Sequence, residues 1–360
     1  MSEATNPPIF DGHNDTLLGL YLNRPGKERT FFVQSEHGHI DLPRARAGGL
    51  GGGFFAVWEP SPPSAQPISS DDVGVKAAGV GYKTPLPPPL DQAYALNFAL
   101  GMTAKLFQVE AESKGDVKVV RTADELQHCL QNGVLAAILH LEGADPLDTD
   151  LNALHVLHQA GLRSIGLVWS RPNAFGHGVP FNFPDTSDIG PGLTDAGKTL
   201  VKTCNELGIM IDLSHLNERG FWDVAGLTTA PLVATHSNAH RLCASPRNLT
   251  DKQLDAVATS GGMVGINFHI GFLRADGRSD VETSLTEIVR HAAYIADRIG
   301  IEHVGLGSDF DGATMPQDLK DAAGLPKLMA ALRAHGFDEE ALRKITYANW
   351  VRVLRQTWKK

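Results

Sequence analysis

Residues 7–18 read PPIFDGHNDTLL, a short apolar run that ends in three polar residues, Asp11, His13 and Asp15, each able to hold a proton or a metal ion. A brief apolar run of this kind is the pattern of a strand buried on both faces. The unit recurs along the chain. GGGFFAVW (51–58), GVLAAILH (133–140), RSIGLVW (163–169), GIMIDLS (208–214), APLVATH (230–236), GMVGINF (262–268) and HVGLGS (303–308) repeat it, making eight candidate strands with the first. Between them, segments of helical length and periodicity run over 90–113, 151–160, 194–207, 249–260 and 281–299, with a last helix from Asp338 onward. Alternation with right-handed crossovers predicts a parallel sheet, and eight units close it into an α/β (β/α)8 TIM-type barrel; an open doubly wound sheet is the alternative. The reading is one barrel domain over residues 1–360. Long Pro- and Gly-rich loops fall around 60–90 and 171–193, and a helix forms the C-terminus.

A chain of 360 residues with 42% hydrophobic content can bury a large core. The net charge of −9 is not offset by any Lys/Arg block, which argues against nucleic-acid or anionic-membrane partners and for a small molecule. The N-terminus lacks a signal-peptide pattern and no apolar run reaches the roughly 18 to 20 residues of a membrane span, so the sequence reads as cytoplasmic. Cys129, Cys204 and Cys243 are widely spaced, which indicates neither a disulfide framework nor a CxxC zinc site.

Polar residues with proton or metal chemistry follow the strands: His13 and Asp15 after the first, Glu142 after the third, His215 after the fifth, His236 after the sixth and Asp309 after the eighth. In a barrel these C-terminal strand ends converge on one mouth. His13 and Asp15 stand two apart on an extended segment, so both side chains leave one face and can grip a single ion. Mixed imidazole and carboxylate ligands suit Zn²⁺ or a similar metal, and Glu142 can bridge two ions. Two metals about 3.5 to 4 Å apart would hold a water and lower its pKa, with Asp309 as general base and then acid. His140, two before Glu142, and His240, four after His236, are alternative ligands. His155 and His158 fall on a helix as surface or packing residues, and both HisxAsp and SDFDG also read as turns.

DGHNDTL, HLEGAD, IDLSH, THSNAHRLCASPRNLTD and GLGSDFDG resemble, in order and context, the signatures of the membrane (renal) dipeptidase family of zinc peptidases, over nearly the whole chain. The resemblance implies an amidohydrolase-type barrel with two Zn²⁺ that cleaves dipeptides. By matching positions, His13 and Asp15 look like ligands of one zinc, Glu142 like the bridge, and His215 and His236 like ligands of the other. Asp309 matches the acid/base aspartate. Arg247, in ASPRN, matches the arginine that holds the substrate's terminal carboxylate, a task suited to a guanidinium.

The pattern departs at two places. Trp169, in LVWSRPN, stands where the family commonly has a histidine that steadies the scissile carbonyl; an indole donates one hydrogen bond but carries no charge. His177 in the following loop is a candidate substitute. His269, in INFHIGF, stands where a tyrosine is familiar near the substrate carboxylate. The lack of a signal peptide is more similar to bacterial relatives than to membrane-anchored ones. The expected function is therefore a zinc-dependent dipeptidase acting on a small-molecule dipeptide, with a homo-oligomer left open by the sequence. The alternatives are a related metal-dependent amide or lactone hydrolase, or an inactive barrel that binds small peptides.

Overall fold

The computed structural model describes residues 6–62 and 81–359. Among these residues nine strands run β1 (Ile9–Asn14), β2 (Leu50–Val57), β3 (Val117–Val119), β4 (Leu135–Glu142), β5 (Leu162–Gly166), β6 (Met210–Asp212), β7 (Val233–Ala234), β8 (Met263–Ile266) and β9 (Val304–Leu306). All pairings between them are parallel, and every residue of β1 and β4 is buried, as expected of strands covered on both faces. Strand neighbours run β2-β1-β9-β8-β7-β6-β5-β4, and β2 then pairs with β4 from Gly52↔Ala136 to Val57↔Leu141. That pairing closes the expected eight-stranded barrel. β3 stands outside it: it takes the N-terminal half of the β4 edge, at Val117↔Leu135 to Val119↔Ala137, while β5 takes the other half. Three residues of VKV were too short a run to read as a strand.

Twelve α-helices occur among the described residues: α1 (Thr16–Leu22), α2 (Leu42–Gly48), α3 (Gln92–Glu112), α4 (Ala123–Asn132), α5 (Asn152–Ala160), α6 (Asp195–Leu207), α7 (Glu218–Leu227), α8 (Asp251–Thr259), α9 (Leu285–Ile299), α10 (Leu325–His335), α11 (Glu339–Arg343) and α12 (Asn349–Thr357). The predicted helices appear as α3, α5, α6, α8 and α9, and the C-terminal one as α11 and α12 joined by a π-turn over Lys344–Ala348. The reading missed α1, α2, α4, α7 and α10. For α4 a signal was present, since Thr122 and Glu125 form a reciprocal capping box. α7 carries Gly220 and Gly226, which weaken its helical pattern.

Most of the core lies between the strands and this helical ring, but a second cluster fills the barrel's N-terminal end. Phe10, Phe54, Ile138, Met210 and Met263 meet there around Trp350 of α12, whose indole N–H donates to the Leu306 carbonyl at 3.2 Å. Trp350 fits because Gly12 and Gly305 lack side chains; a Cβ on either would stand 2.6 or 2.7 Å from the indole. Residues 171–193 carry no helix or paired strand of their own. Of the loop expected around 60–90, residues 63–80 lie outside the described residues; Tyr82 beyond them exchanges backbone hydrogen bonds with Phe183, laying one loop on the other.

Candidate active site

The strand ends bring the predicted residues together. Glu142, the last residue of β4, is the hub. Its Oε1 lies 3.0 Å from His215 Nε2 and 3.5 Å from His236 Nε2, and its Oε2 lies 3.6 Å from His13 Nε2. Asp15 closes on the His13 side, with Oδ2 3.4 Å from Nε2. Asp309 completes a second grouping, its carboxylate within 4.8 Å of ligand atoms of His13 and Asp15. Three of the residues that aim or flank this cluster, His215, Asp309 and Asp311, have φ of +67°, +65° and +67°. Side chains rarely adopt that backbone, and such strain collects at functional sites.

A layer of hydroxyls and a carboxylate orients the imidazoles. His215 Nδ1 is 2.8 Å from Ser170 Oγ, and His236 Nδ1 is 2.8 Å from Thr235 Oγ1, whose hydroxyl donates to Asp212. With each Nδ1 engaged, both Nε2 atoms face inward, 3.0 Å apart. Asp11, first of the opening triad, does not join them: its oxygens accept from the Ser308 N–H and hydroxyl at 2.6 and 2.7 Å, tying β1 to the end of β9. Burial pushes the Asp11 carboxyl up to about 6.

Burial dominates the electrostatics. It pushes Glu142 up to about 8, and it holds His215 and His236 well below the usual imidazole range, so both are neutral and hold lone pairs. Burial would lower His13 as well, but the Glu142 and Asp15 carboxylates outweigh it and drive it well above that range. Both His13 ring nitrogens and Asp15 Oδ1 are buried without a hydrogen-bond partner. Orphaned atoms, converging Nε2 lone pairs and the carboxylates of Asp15, Glu142 and Asp309 form a donor set that fits a borderline divalent cation. The residues therefore fit a metal.

A cavity of about 170 Å³ opens onto this cluster. Asp15, Glu142, His215, Asp309, Asp311 and Gly312 form its polar side; Leu18, Trp58, Trp169, Phe181 and Phe272 form its apolar side. Trp169 is thus in the wall, edge-on to Trp58 at 5.1 Å and to Phe181 at 5.6 Å, with the Arg171 guanidinium over its ring at 4.9 Å. Arg247 is 2% exposed, lies over the Phe272 ring at 5.4 Å and donates from Nη2 to the His236 carbonyl at 3.1 Å. Asp309, Glu142 and Asp212 act on it only at longer range, and its Nε is buried without a partner.

His269 and His177 are not brought to the cavity wall. His269 is buried one layer back, edge-on to Phe272 at 4.6 Å with Nδ1 3.3 Å from the Thr314 carbonyl. His177 is half-buried in the 171–193 loop, where its carbonyl accepts from the Asn217 N–H. Of the alternative ligands, His140 lies inside the barrel below the cluster, its Nδ1 2.9 Å from Ser164 Oγ, and burial lowers it to about 3. His240 Nε2 is spent on the Asp185 carbonyl at 2.8 Å. His155 is exposed and His158 half-buried on α5. The sequence reading missed Ser170, Thr235 and Asp212, although Asp212 stands within IDLSH three residues before His215.

Residues 4–360 match the family described as membrane dipeptidase, peptidase family M19. The chain belongs to the membrane dipeptidase family. Among solved structures it is similar to a metallo peptidase from Rhodobacter sphaeroides liganded with a phosphinate mimic of the dipeptide L-Ala-D-Ala, at 50% identity and a TM-score of 0.94 over 98% of this chain and all of that one. It is 51% identical, over 71% of its length and 94% of the relative's, to a protein of the pqqA 5′ region of Klebsiella pneumoniae. It is 27% identical to the dipeptidase tcpJ of Claviceps purpurea, over 96% of this chain and 76% of that one. This membrane dipeptidase family member is a metallo-dipeptidase, a hydrolase of peptide bonds whose substrate is a small molecule. Despite the family's name, no helix among the described residues is long and apolar enough to cross a membrane.

Proposed function

We propose that the dipeptidase works with two Zn²⁺ ions, one held by His13 and Asp15, the other by His215 and His236, with Glu142 shared between them. The observation that carries this reading is the split of Glu142, whose two oxygens face different imidazoles: Oε1 faces His215 and His236, and Oε2 faces His13. A carboxylate so placed suits a bridge, and the mixed N/O donors suit zinc. The chemistry such a pair supplies is Lewis-acid activation of water and of the scissile carbonyl.

The chain's own groups do the rest. Asp309, half-buried in the cavity wall, takes the proton of the attacking water and returns it to the departing amine as the C–N bond breaks. The buried Arg247 guanidinium receives the carboxylate of the C-terminal residue, which fixes the substrate's length at one residue beyond the cut. Trp58, Trp169, Phe181 and Phe272 exclude water and give an apolar wall in a cavity of about 170 Å³, which suits small apolar side chains. The Rhodobacter relative's ligand, a mimic of L-Ala-D-Ala, supports the same size class.

Metal analysis tests the reading. The purified protein should carry two zinc equivalents per chain, and Glu142→Gln should hold fewer, because a neutral amide bridges two cations poorly. Two full equivalents in Glu142→Gln would refute the bridge.

A further inference from the structure

We infer that Asn267, which follows β8, is a positioning residue that holds Asp309 in the orientation proton transfer requires. The inference rests on the role proposed above for Asp309. Asn267 is fully buried, and its Nδ2 donates to Asp309 Oδ2 at 2.9 Å. The direction of that bond is fixed by the other end of the amide, since Asn267 Oδ1 accepts the His269 backbone N–H at 2.7 Å. A reversed amide would set an NH₂ against an N–H and an oxygen against a carboxylate, so only one orientation is stable.

The backbone beneath is fixed as well. Asn238 Oδ1 accepts the Asn267 N–H at 3.1 Å, and Asn238 Nδ2 donates to the Asn267 carbonyl at 3.0 Å. Asp309 is fastened on its other side: its own N–H donates to the His13 carbonyl at 3.0 Å, and Asp311, two residues on, is paired with Arg29 at 2.9 Å. The turn therefore cannot slide, and the remaining freedom of the Asp309 side chain is rotation about its χ angles. The Asn267 bond removes that freedom. It occupies Oδ2 and leaves Oδ1 to the cavity that Asp309 lines. Asn267 Nδ2 also lies 3.4 Å from the His236 carbonyl, the acceptor that Arg247 uses, so one peptide group registers the carboxylate clamp and the proton carrier against each other. A carboxylate held within tenths of an ångström of its working position contributes strongly to turnover and little to substrate affinity.

A double-mutant cycle on the zinc-loaded enzyme tests this. Asn267→Ala should keep the wild-type metal content and lose kcat by about 10- to 100-fold, the cost of one hydrogen bond to a charged group, while KM moves less than about threefold. In an Asp309→Asn background the same substitution should cost almost nothing further, because it acts through a carboxylate already removed. Asn267→Asp, which preserves size and the acceptor for His269, repeats the cycle if the alanine variant does not fold, and it should lose kcat at least as much because it opposes two carboxylates. An equal loss with and without the Asp309 carboxylate, a loss carried by KM or by metal content, or a wild-type kcat in Asn267→Asp would overturn the inference. The Asp309→Asn variant alone separates this from failure of the underlying reading: wild-type turnover there would refute the role of Asp309 itself.

Discussion

If Arg247 is the carboxylate clamp proposed above, Arg247→Ala should erase the preference for a free C-terminal carboxylate. The residue is 2% exposed, and among the described residues its guanidinium has one hydrogen bond, to the His236 carbonyl, which leaves most of its donor capacity unspent. Burial lowers its pKa, and Asp309, Glu142 and Asp212 oppose that only from a distance. A substrate carboxylate arriving beside Phe272 would therefore meet a desolvated, underused cation. A charge-assisted bond there is worth about 1.5–3 kcal/mol, which is about 10- to 150-fold in kcat/KM. A dipeptide should lose that factor in the variant, whereas its C-terminal amide, with no charge to place, should change by less than about threefold. Stability should move the other way or not at all, because removing an unpaired buried cation relieves its desolvation cost. Steady-state kinetics on one dipeptide and its amide, with wild type, Arg247→Ala and Arg247→Lys, decide the matter; Lys should recover only part of the loss, since it offers a point charge in place of a planar fork. If Arg247→Ala keeps the wild-type preference for a free carboxylate, the clamp lies elsewhere.

Other consequences are open to measurement. Trp350→Ala should cost about 3–5 kcal/mol in urea unfolding, as expected for emptying a fully buried indole site; a loss under 1 kcal/mol would show that the cluster around it collapses to fill the space. His291 accepts the Ala239 N–H on Nδ1 while its Nε2 meets the Leu273 carbonyl, which requires the neutral ring, and burial lowers it to about 4. The folded-state value lies below the ordinary 6.5, so its contribution is complete above that pH and is lost as pH falls from about 6.5 to about 4; relative to His291→Asn, the wild type should lose about 1.4 kcal/mol per pH unit across that window. Stripping the metal with a chelator should lower the melting temperature, and zinc restored to about a thousand times its dissociation constant should return about 4 kcal/mol of stability. An unchanged melting temperature after complete removal would mean that the orphaned nitrogens of His13 find other partners.

The candidate metal cluster was legible because each member stands directly after an apolar run, and the closed barrel turns that sequential position into spatial convergence. His13, Glu142, His215 and His236 needed only the strand ends to be recognised. The layer that aims them was not legible. Ser170, Thr235 and Asn267 are ordinary polar residues whose roles arise from contacts across different strands, as Asn267 reaches Asp309 from 42 positions away. Helices were lost where the local pattern was weak or short, as in α1, whose TLLGLYL reads as a continuation of the first strand's end. His269 and Trp169 show the converse limit. Both occupy positions singled out by resemblance, yet one is in the cavity wall and the other is a layer behind it, a distinction made by side-chain direction and not by position in the motif.

Trp350 meets Phe10 with ring centroids 5.7 Å apart and also packs on Phe54, so the last helix is seated on the first two strands. Contacts between segments this far apart in the chain carry a large loop-closure entropy and form late in folding. During synthesis the opening strands must therefore wait, with Phe10 and Phe54 uncovered, until residues 349–357 have been made. A nascent barrel lacking α12 exposes an aromatic floor and invites association with other unfinished chains. Chains cut before residue 349 should accordingly stay protease-sensitive and bind holdase chaperones, and chains that include α12 should become protease-resistant.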